Sequence, residues 1–297
     1  MKKLLYRVFR RMAMLNILNL IPDIVFIKII WWLRMDYHLD LKNPETFNEK
    51  LQWLKLYYRN TLYETLVDKY AVRNYVSEKI GNQYLIPLLG VYQDVSEIKW
   101  DTLPEKFVLK CTHDSGSSII CKDKSQLNKN LAYKKLSKRL KNNITYNNLR
   151  EWPYKNVKRR IICEKYMADE TGELPDYKFF CFNGEPKAMF IATERNSGDV
   201  KFDYYDINFN KLNIVQFHKE SGKSLPKPQC FDEMIRLSKI LSWNMPHVRV
   251  DLYEIAGKVY FGELTFFHHS GLVPFSPNRI DKLWGSWIEL PHFKCGH

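Results

Sequence analysis

The chain has 297 residues, 45% hydrophobic and 27% charged, enough to bury a sizeable core and too apolar for disorder. Its net charge of +13 points either to a polyanionic partner (nucleic acid, anionic membrane, nucleotide phosphate, acidic glycan) or to a solvated lysine-rich surface. Cysteines at 111, 121, 163, 181, 230 and 295 show no C-x-x-C spacing, which argues against zinc and disulfide frameworks and suits reduced thiols in a cytoplasmic protein.

Residues 1–40 read as a basic, amphipathic helical segment. Arg7, Arg10 and Arg11 recur, and no small-residue cleavage site follows, so the segment is not a signal peptide. The apolar stretch Ile21–Leu33 contains Pro22, Asp23 and Lys28 and falls short of the roughly 20 apolar residues that span a bilayer. It is expected either to pack on the body or to lie on the inner face of the membrane. Asn43-Pro44 then opens a helix, with Asn43 as cap and Phe47, Leu51 and Leu54 on one face. A second helix is expected from Asp68 to Ile80, with a stripe of Val72, Val76 and Ile80, ended by Gly81.

From Trp100 the texture changes to strands. Phe107–Leu109 and Ile119–Cys121 flank a polar loop, and lysine-rich helical sequence follows to residue 150. A strand near Arg160–Tyr166 precedes a hairpin tipped by Asn183-Gly184, and a second hairpin spans Val248–Leu264. The uneven mixture predicts an α+β fold with antiparallel sheets, not a doubly wound parallel sheet.

Four groups of residues can carry chemistry. Lys110 and the loop Thr112–Ser118, with Ser115, Gly116 and Ser117, suit a flap that grips phosphate, or a plain hairpin. Asp68-Lys69 at a helix start can attract an anion, or be solvated. The strand Ile161–Met167 can bind adenine through its backbone, with Glu164 accepting from the exocyclic amine and Asp176 holding ribose; otherwise it is an edge strand. Arg249 and Asp251 share a strand face, and Glu263 lies in the next strand: two carboxylates and an arginine that can bridge Mg2+ to phosphates, or a salt-bridge cluster. A shared face requires the right register. We expect a three-residue loop, Ile255-Ala256-Gly257, because a two-residue turn places Asp251 opposite Gly262 and turns Glu263 away.

In this order the groups resemble the ATP-grasp superfamily. The stretches Asn43–Leu54, Asp68–Arg73, Phe107–Cys111, Asp176–Phe179 and Phe261–Phe266 resemble its TupA-like family, named for teichuronopeptide synthesis. The resemblance implies an ATP-grasp fold with nucleotide between two α+β subdomains: a helical or α+β part over 41–99, a flap subdomain over 100–160 and a C-terminal subdomain with the metal site over 161–297. It implies ATP contacts from Lys69, Lys110, Ser115, Gly116, Ser117, Glu164, Lys165, Tyr166, Met167, Asp176, Lys178 and Arg195. It assigns Mg2+ to Asp251, Glu263 and Thr265, the last replacing the family's usual asparagine. It further implies an ADP-forming carboxylate–amine ligase of capsular or other surface polysaccharide synthesis, acting through an acylphosphate, with Arg249 stabilising charge and His268 or His269 accepting the amine proton. The short segment before Lys69 suggests an open site for a polymeric or lipid-linked acidic glycan. Two rivals remain: a glycosyltransferase, weakened by the lack of any Asp-x-Asp, and a non-enzymatic polyanion binder using Lys134–Lys141 and Lys155–Arg160.

Overall fold

A computed structural model of the chain describes all residues except 115, 142–145, 147–148, 170–171, 173, 195–197 and 292–297. In chain order the helices are α1 (Lys2–Met14), α2 (Asp23–Arg34), α3 (Phe47–Tyr57), α4 (Leu62–Val67), α5 (Val72–Lys79), α6 (Lys129–Lys141), α7 (Phe231–Leu241) and α8 (Arg279–Ser286). The strands are β1 (Leu88–Tyr92), β2 (Phe107–Cys111), β3 (Ile119–Cys121), β4 (Ile161–Lys165), β5 (Asp176–Phe182), β6 (Glu185–Thr193), β7 (Lys201–Asp206), β8 (Lys211–Leu212), β9 (His247–Ile255) and β10 (Lys258–Thr265). The chain divides into two compact units, residues 60–172 and residues 1–59 with 173–297.

The 60–172 unit holds a four-stranded antiparallel sheet in the order β1-β4-β2-β3. Phe107, Leu109 and Cys111 of β2 alternate inward onto Ile161, Cys163 and Leu136 of α6. β4 lies in this unit because it pairs with both β1 and β2, whereas the sequence reading put it at the head of the C-terminal part. The expected helix from Asp68 begins only at Val72; Asp68 caps the preceding turn, its carboxylate accepting from the Tyr70 and Ala71 backbone at 2.8 and 3.3 Å.

The other unit is built on a six-stranded antiparallel sheet, β10-β9-β5-β6-β7-β8. Both faces are covered. Phe179 of β5 meets Phe231 of α7 at 5.9 Å, and Phe180 on the opposite face meets Trp284 of α8 at 4.6 Å and Phe47 of α3 at 6.3 Å. Burial on both sides explains why β5 ends in a continuous Phe-Phe-Cys-Phe run and not in an alternating pattern. The cap of α3 is Thr46, not Asn43: Thr46 accepts from the Glu49 backbone at 3.2 Å and Glu49 accepts from the Thr46 backbone at 3.0 Å, a capping box.

Helix α2 is anchored to this unit. Trp31 donates to the Tyr37 carbonyl at 2.9 Å and Arg34 to the Leu272 carbonyl at 3.3 Å, and α1 packs Phe9 on Phe26 at 4.9 Å. Among the described residues no helix is long and apolar enough to cross a membrane.

The hairpin β9–β10 closes differently from the expectation. Ile255 pairs with Lys258, so the loop is the two-residue Ala256-Gly257, with φ of +50° and +69°. Two left-handed residues in succession match the twist of a tight hairpin. The parity this turn sets is then corrected in the strand: Phe261 opposes Leu252, but Glu263 opposes Asp251, leaving Gly262 as an extra, bulged residue.

Candidate active site

One row of side chains crosses the six-stranded sheet on the face away from α7. Glu263 of β10 opposes Asp251 of β9, and Asp251 opposes Lys178 of β5. Lys178 is ion-paired with Asp251 and, at 2.6 Å, with Asp176. The next row holds Thr265 opposite Arg249. Arg249 donates through Nε to Asp251 Oδ1 at 2.7 Å and through Nη2 to Asp251 Oδ2 at 2.7 Å, a two-pronged grip on one carboxylate. Nη2 also reaches Glu263 at 3.2 Å and Thr265 at 3.0 Å, and the Thr265 hydroxyl donates to Glu263 at 3.1 Å. Asp251 is fully buried, whereas the Glu263 side chain is 40% exposed and forms the open end of the cluster.

Burial disfavours the Arg249 charge, but Asp251 and Glu263 outweigh that and hold the guanidinium above its ordinary range. Burial pushes the Asp251 carboxyl up, while Arg249 and Lys178 pull it the other way. The cluster sets two cations against three carboxylates, a charge balance suited to receiving a metal-bound polyphosphate.

Behind Arg249 stands His268, whose Nδ1 lies 2.7 Å from Arg249 Nη1 and whose Nε2 lies 2.9 Å from Gln216 Oε1. Arginine can only donate, so Nδ1 is the acceptor and Nε2 carries the proton. Burial, with the Arg249 charge beside it, keeps the ring neutral. Burial holds His269 at about 3. For His268 the expectation of accepting the amine proton is corrected, because both its nitrogens are engaged, one with Arg249 and one with Gln216.

Helix α3 braces the turn that carries these histidines. His269 and Ser270 have φ of +46° and +57°, costly for residues other than glycine. Lys55 is buried and donates to the Ser270 carbonyl at 3.0 Å and hydroxyl at 2.8 Å, and Gln52 donates to the carbonyls of Ser270 and Gly271 at 2.9 and 2.8 Å. Asn48, Gln52 and Lys55 recur at i, i+4 and i+7, so the signal was a polar stripe at core spacing.

The 60–172 unit carries its own cluster. Glu164 is ion-paired with Lys110 at 2.6 Å and Arg73 at 3.3 Å, and Arg73 also donates to the Ile86 carbonyl at 2.9 Å. Lys69 donates to the Asp114 carbonyl at 2.7 Å, and Ser117 accepts from the Cys111 backbone at 2.9 Å, so both tie down the loop after β2. Arg139 of α6 pairs with Asp114 at 3.4 Å and reaches the Gly116 carbonyl at 3.5 Å. Lys165 ends β4, and Tyr166 and Met167 follow it, half-buried. Arg73 and Arg139 were not singled out from sequence; Arg73 sits four residues after Lys69, a helical spacing that could have flagged it. Ser115 and Arg195, expected to touch nucleotide, lie outside the described residues.

Among the described residues no group of three or more His, Cys, Asp and Glu side chains is arranged to hold a metal ion. Asp251 and Glu263 offer two carboxylates, the number Mg2+ uses when phosphate and water complete its shell, so the residues fit an ion brought with a nucleotide. Thr265 orients Glu263 and Arg249 through its hydroxyl. Two surface clefts of about 670 and 780 Å³ in the same unit open elsewhere, beside Asp281 and beside Asn183.

The antiparallel sheets, the lysine-bearing flap strand and the Arg-x-Asp and Glu strands are the parts of an ATP-grasp protein. The sequence model of the TupA-like ATP-grasp family matches residues 49–289, and the chain belongs to that family. No curated protein matches it. Solved structures resemble it distantly. The D-alanine–D-alanine ligase of Bacillus anthracis is 16% identical, with a TM-score of 0.37 over 68% of this chain and 57% of that one. The ATP-grasp ligase PsnB, in complex with Mg, ADP and a phosphomimetic variant of its minimal precursor, is 9% identical, with a TM-score of 0.39 over 74% and 57%. An ADP complex of N5-carboxyaminoimidazole ribonucleotide synthetase is 13% identical, with a TM-score of 0.41 over 82% and 56%. The chain thus spans a little over half the length of these structures.

Proposed function

We propose that the protein is an ADP-forming carboxylate–amine ligase that joins an amino acid or another amine to a uronic-acid-type carboxylate in capsular or other cell-surface polysaccharide synthesis. The observation that carries the ligase reading is the Arg249 cluster, in which Asp251 and Glu263 face each other beside two buried cations. The choice of an acidic glycan rests on the family resemblance and on the net charge of +13.

Asp251 and Glu263 would hold Mg2+, which when bound supplies positive charge to the phosphate oxygens. Lys178 and Arg249 balance the negative charge of the transferring phosphoryl group, and His268 keeps Arg249 aimed. A substrate carboxylate oxygen attacks the γ-phosphorus, releasing ADP and forming an acylphosphate. The amine then attacks the carbonyl carbon, the C–O bond to phosphate breaks, and an amide, phosphate and a proton result. Lys69 and Lys110, each beside the loop after β2, supply point charges for phosphate oxygens.

The test is incubation with ATP, Mg2+ and a panel of uronic acids and amino acids, followed by mass spectrometry. The expected product is an adduct lighter than its two components by one water, with ADP and phosphate in equal amounts. AMP with pyrophosphate, or ADP without any adduct, overturns the reading.

A further inference from the structure

Residues 1–34 contain seven basic side chains (Lys2, Lys3, Arg7, Arg10, Arg11, Lys28 and Arg34) and one acidic one, Asp23. Helix α1 turns Phe9 and Ala13 inward, against α2 and the body. On its outer side Leu4, Val8 and Leu15 are 66%, 50% and 62% exposed and form one stripe, spaced i, i+4 and i+11. Lys3, Arg7 and Arg11, all exposed, run along the edge of that stripe at i, i+4 and i+8. The turn after α1 presents Leu20 almost fully exposed, at 98%, and α2 adds Val25, Lys28 and Trp32 on its own outer side. Lys2 Nζ lies 5.4 Å from the centre of the Trp32 ring, so the start of α1 and the end of α2 are neighbours. Single exposed apolar residues are ordinary; an apolar stripe running over two helices and their turn is not.

We propose that α1, the turn after it and the outer side of α2 form a docking surface for an anionic lipid bilayer. The apolar stripe would enter the boundary between headgroups and acyl chains, with the row Lys3, Arg7, Arg11 at headgroup level. Trp32 is suited to that depth, with an apolar ring and one polar N–H. Charge complementarity selects the occupant: the exposed cations Lys2, Lys3, Arg7, Arg11 and Lys28 match phosphate-bearing headgroups, whereas a second copy of this surface meets like charge. Neither helix is long enough to span the bilayer, so the hairpin lies in the interface. The inference is independent of the ligase reading, since none of these residues belongs to the Arg249 or Glu164 clusters.

Flotation of the full chain with vesicles tests it. The protein is expected to rise with phosphatidylcholine vesicles containing phosphatidylglycerol and to stay behind with phosphatidylcholine alone. The triple variant Leu4→Glu, Val8→Glu, Leu20→Glu is expected to lose flotation, and Lys3→Glu, Arg7→Glu, Arg11→Glu to lower partitioning roughly hundredfold or more. Both should keep the parent's thermal transition, because the altered side chains are exposed. Absence of flotation with the anionic vesicles overturns the proposal, as does flotation that either variant leaves unchanged. Sedimentation showing a dimer that the first triple variant breaks also overturns it, in favour of a second copy as the occupant.

Discussion

Glu263 stands opposite Asp251, on the sheet face that carries Lys178, because Gly262 is one residue too many for its strand. Without the bulge, Gly262 would oppose Asp251, and Glu263 would pair with Val250 and point to the other face. Glycine suits the bulge sterically as well: a Cβ there would lie 3.0 Å from both the Asp251 carbonyl and the Tyr253 ring.

Inserting one alanine between Gly262 and Glu263 is therefore expected to abolish ATP turnover, because it moves Glu263 opposite Val250 and onto the other face, away from Arg249. Gly262→Ala, which keeps the register but crowds Asp251, is expected to cost about 1–2 kcal/mol of stability and to retain part of the activity. Turnover measured beside thermal unfolding for both variants separates the two effects. A folded insertion variant with full turnover removes Glu263 from the site.

Arg249 is not replaceable by lysine. A lysine at 249 keeps one charge but cannot grip both Asp251 oxygens while reaching Thr265, Glu263 and His268. Arg249→Lys is expected to fold and to lose on the order of 10²-fold in kcat, with a smaller change in KM for ATP. Arg249→Ala is expected to lose about 3 kcal/mol or more in denaturant unfolding, because Asp251 stays buried with Lys178 as its remaining cation. Steady-state kinetics and urea titration check the pair.

Lys110→Ala is expected to leave the 60–172 unit folded, since Glu164 keeps its ion pair with Arg73. The loss should fall on nucleotide affinity or phosphoryl transfer, about tenfold or more for one charge-assisted phosphate contact. Calorimetric titration with a non-hydrolysable ATP analogue reads the binding component. An unchanged affinity together with unchanged turnover excludes Lys110 from nucleotide handling.

Burial lowers His247 to about 3, with its Nδ1 2.9 Å from the Cys181 carbonyl. A histidine depressed in the folded state binds a proton more readily when unfolded, so its contribution to stability falls as pH drops below the unfolded value near 6.5. Between pH 7.5 and 5.5 this one group is expected to remove about 1.4 kcal/mol of stability. Urea unfolding of the parent and of His247→Gln at the two pH values should differ by that amount. Parallel losses in both proteins would show that His247 does not set the dependence.

Much of this was written locally in the chain. Asn183-Gly184 marks its hairpin because both residues tolerate the left-handed conformations a tight turn requires, and they adopt φ of +50° and +84°. Lys69, Lys110, Glu164, Arg249, Asp251 and Glu263 could each be picked out as candidates because their types and order match a family pattern, and the fold brings Lys110 to Glu164 and Arg249 to Asp251 and Glu263. The turn at Ala256-Gly257 and the bulge at Gly262 were not read correctly: alternation of period two is blind to a single inserted residue, and two changes of parity cancelled.

Tertiary structure decided the rest. His268 and Gln216 are 52 residues apart, and only the folded chain puts them in contact and turns an apparent proton acceptor into a support for Arg249. Lys178, 73 residues before Asp251, meets it because β5 pairs with β9 in one register. Propensity and turn chemistry act over a few residues, so a short window of sequence contains them. The choice of strand neighbour, and the burial that gives an ion pair its strength, depend on how the whole chain packs, and no window contains that.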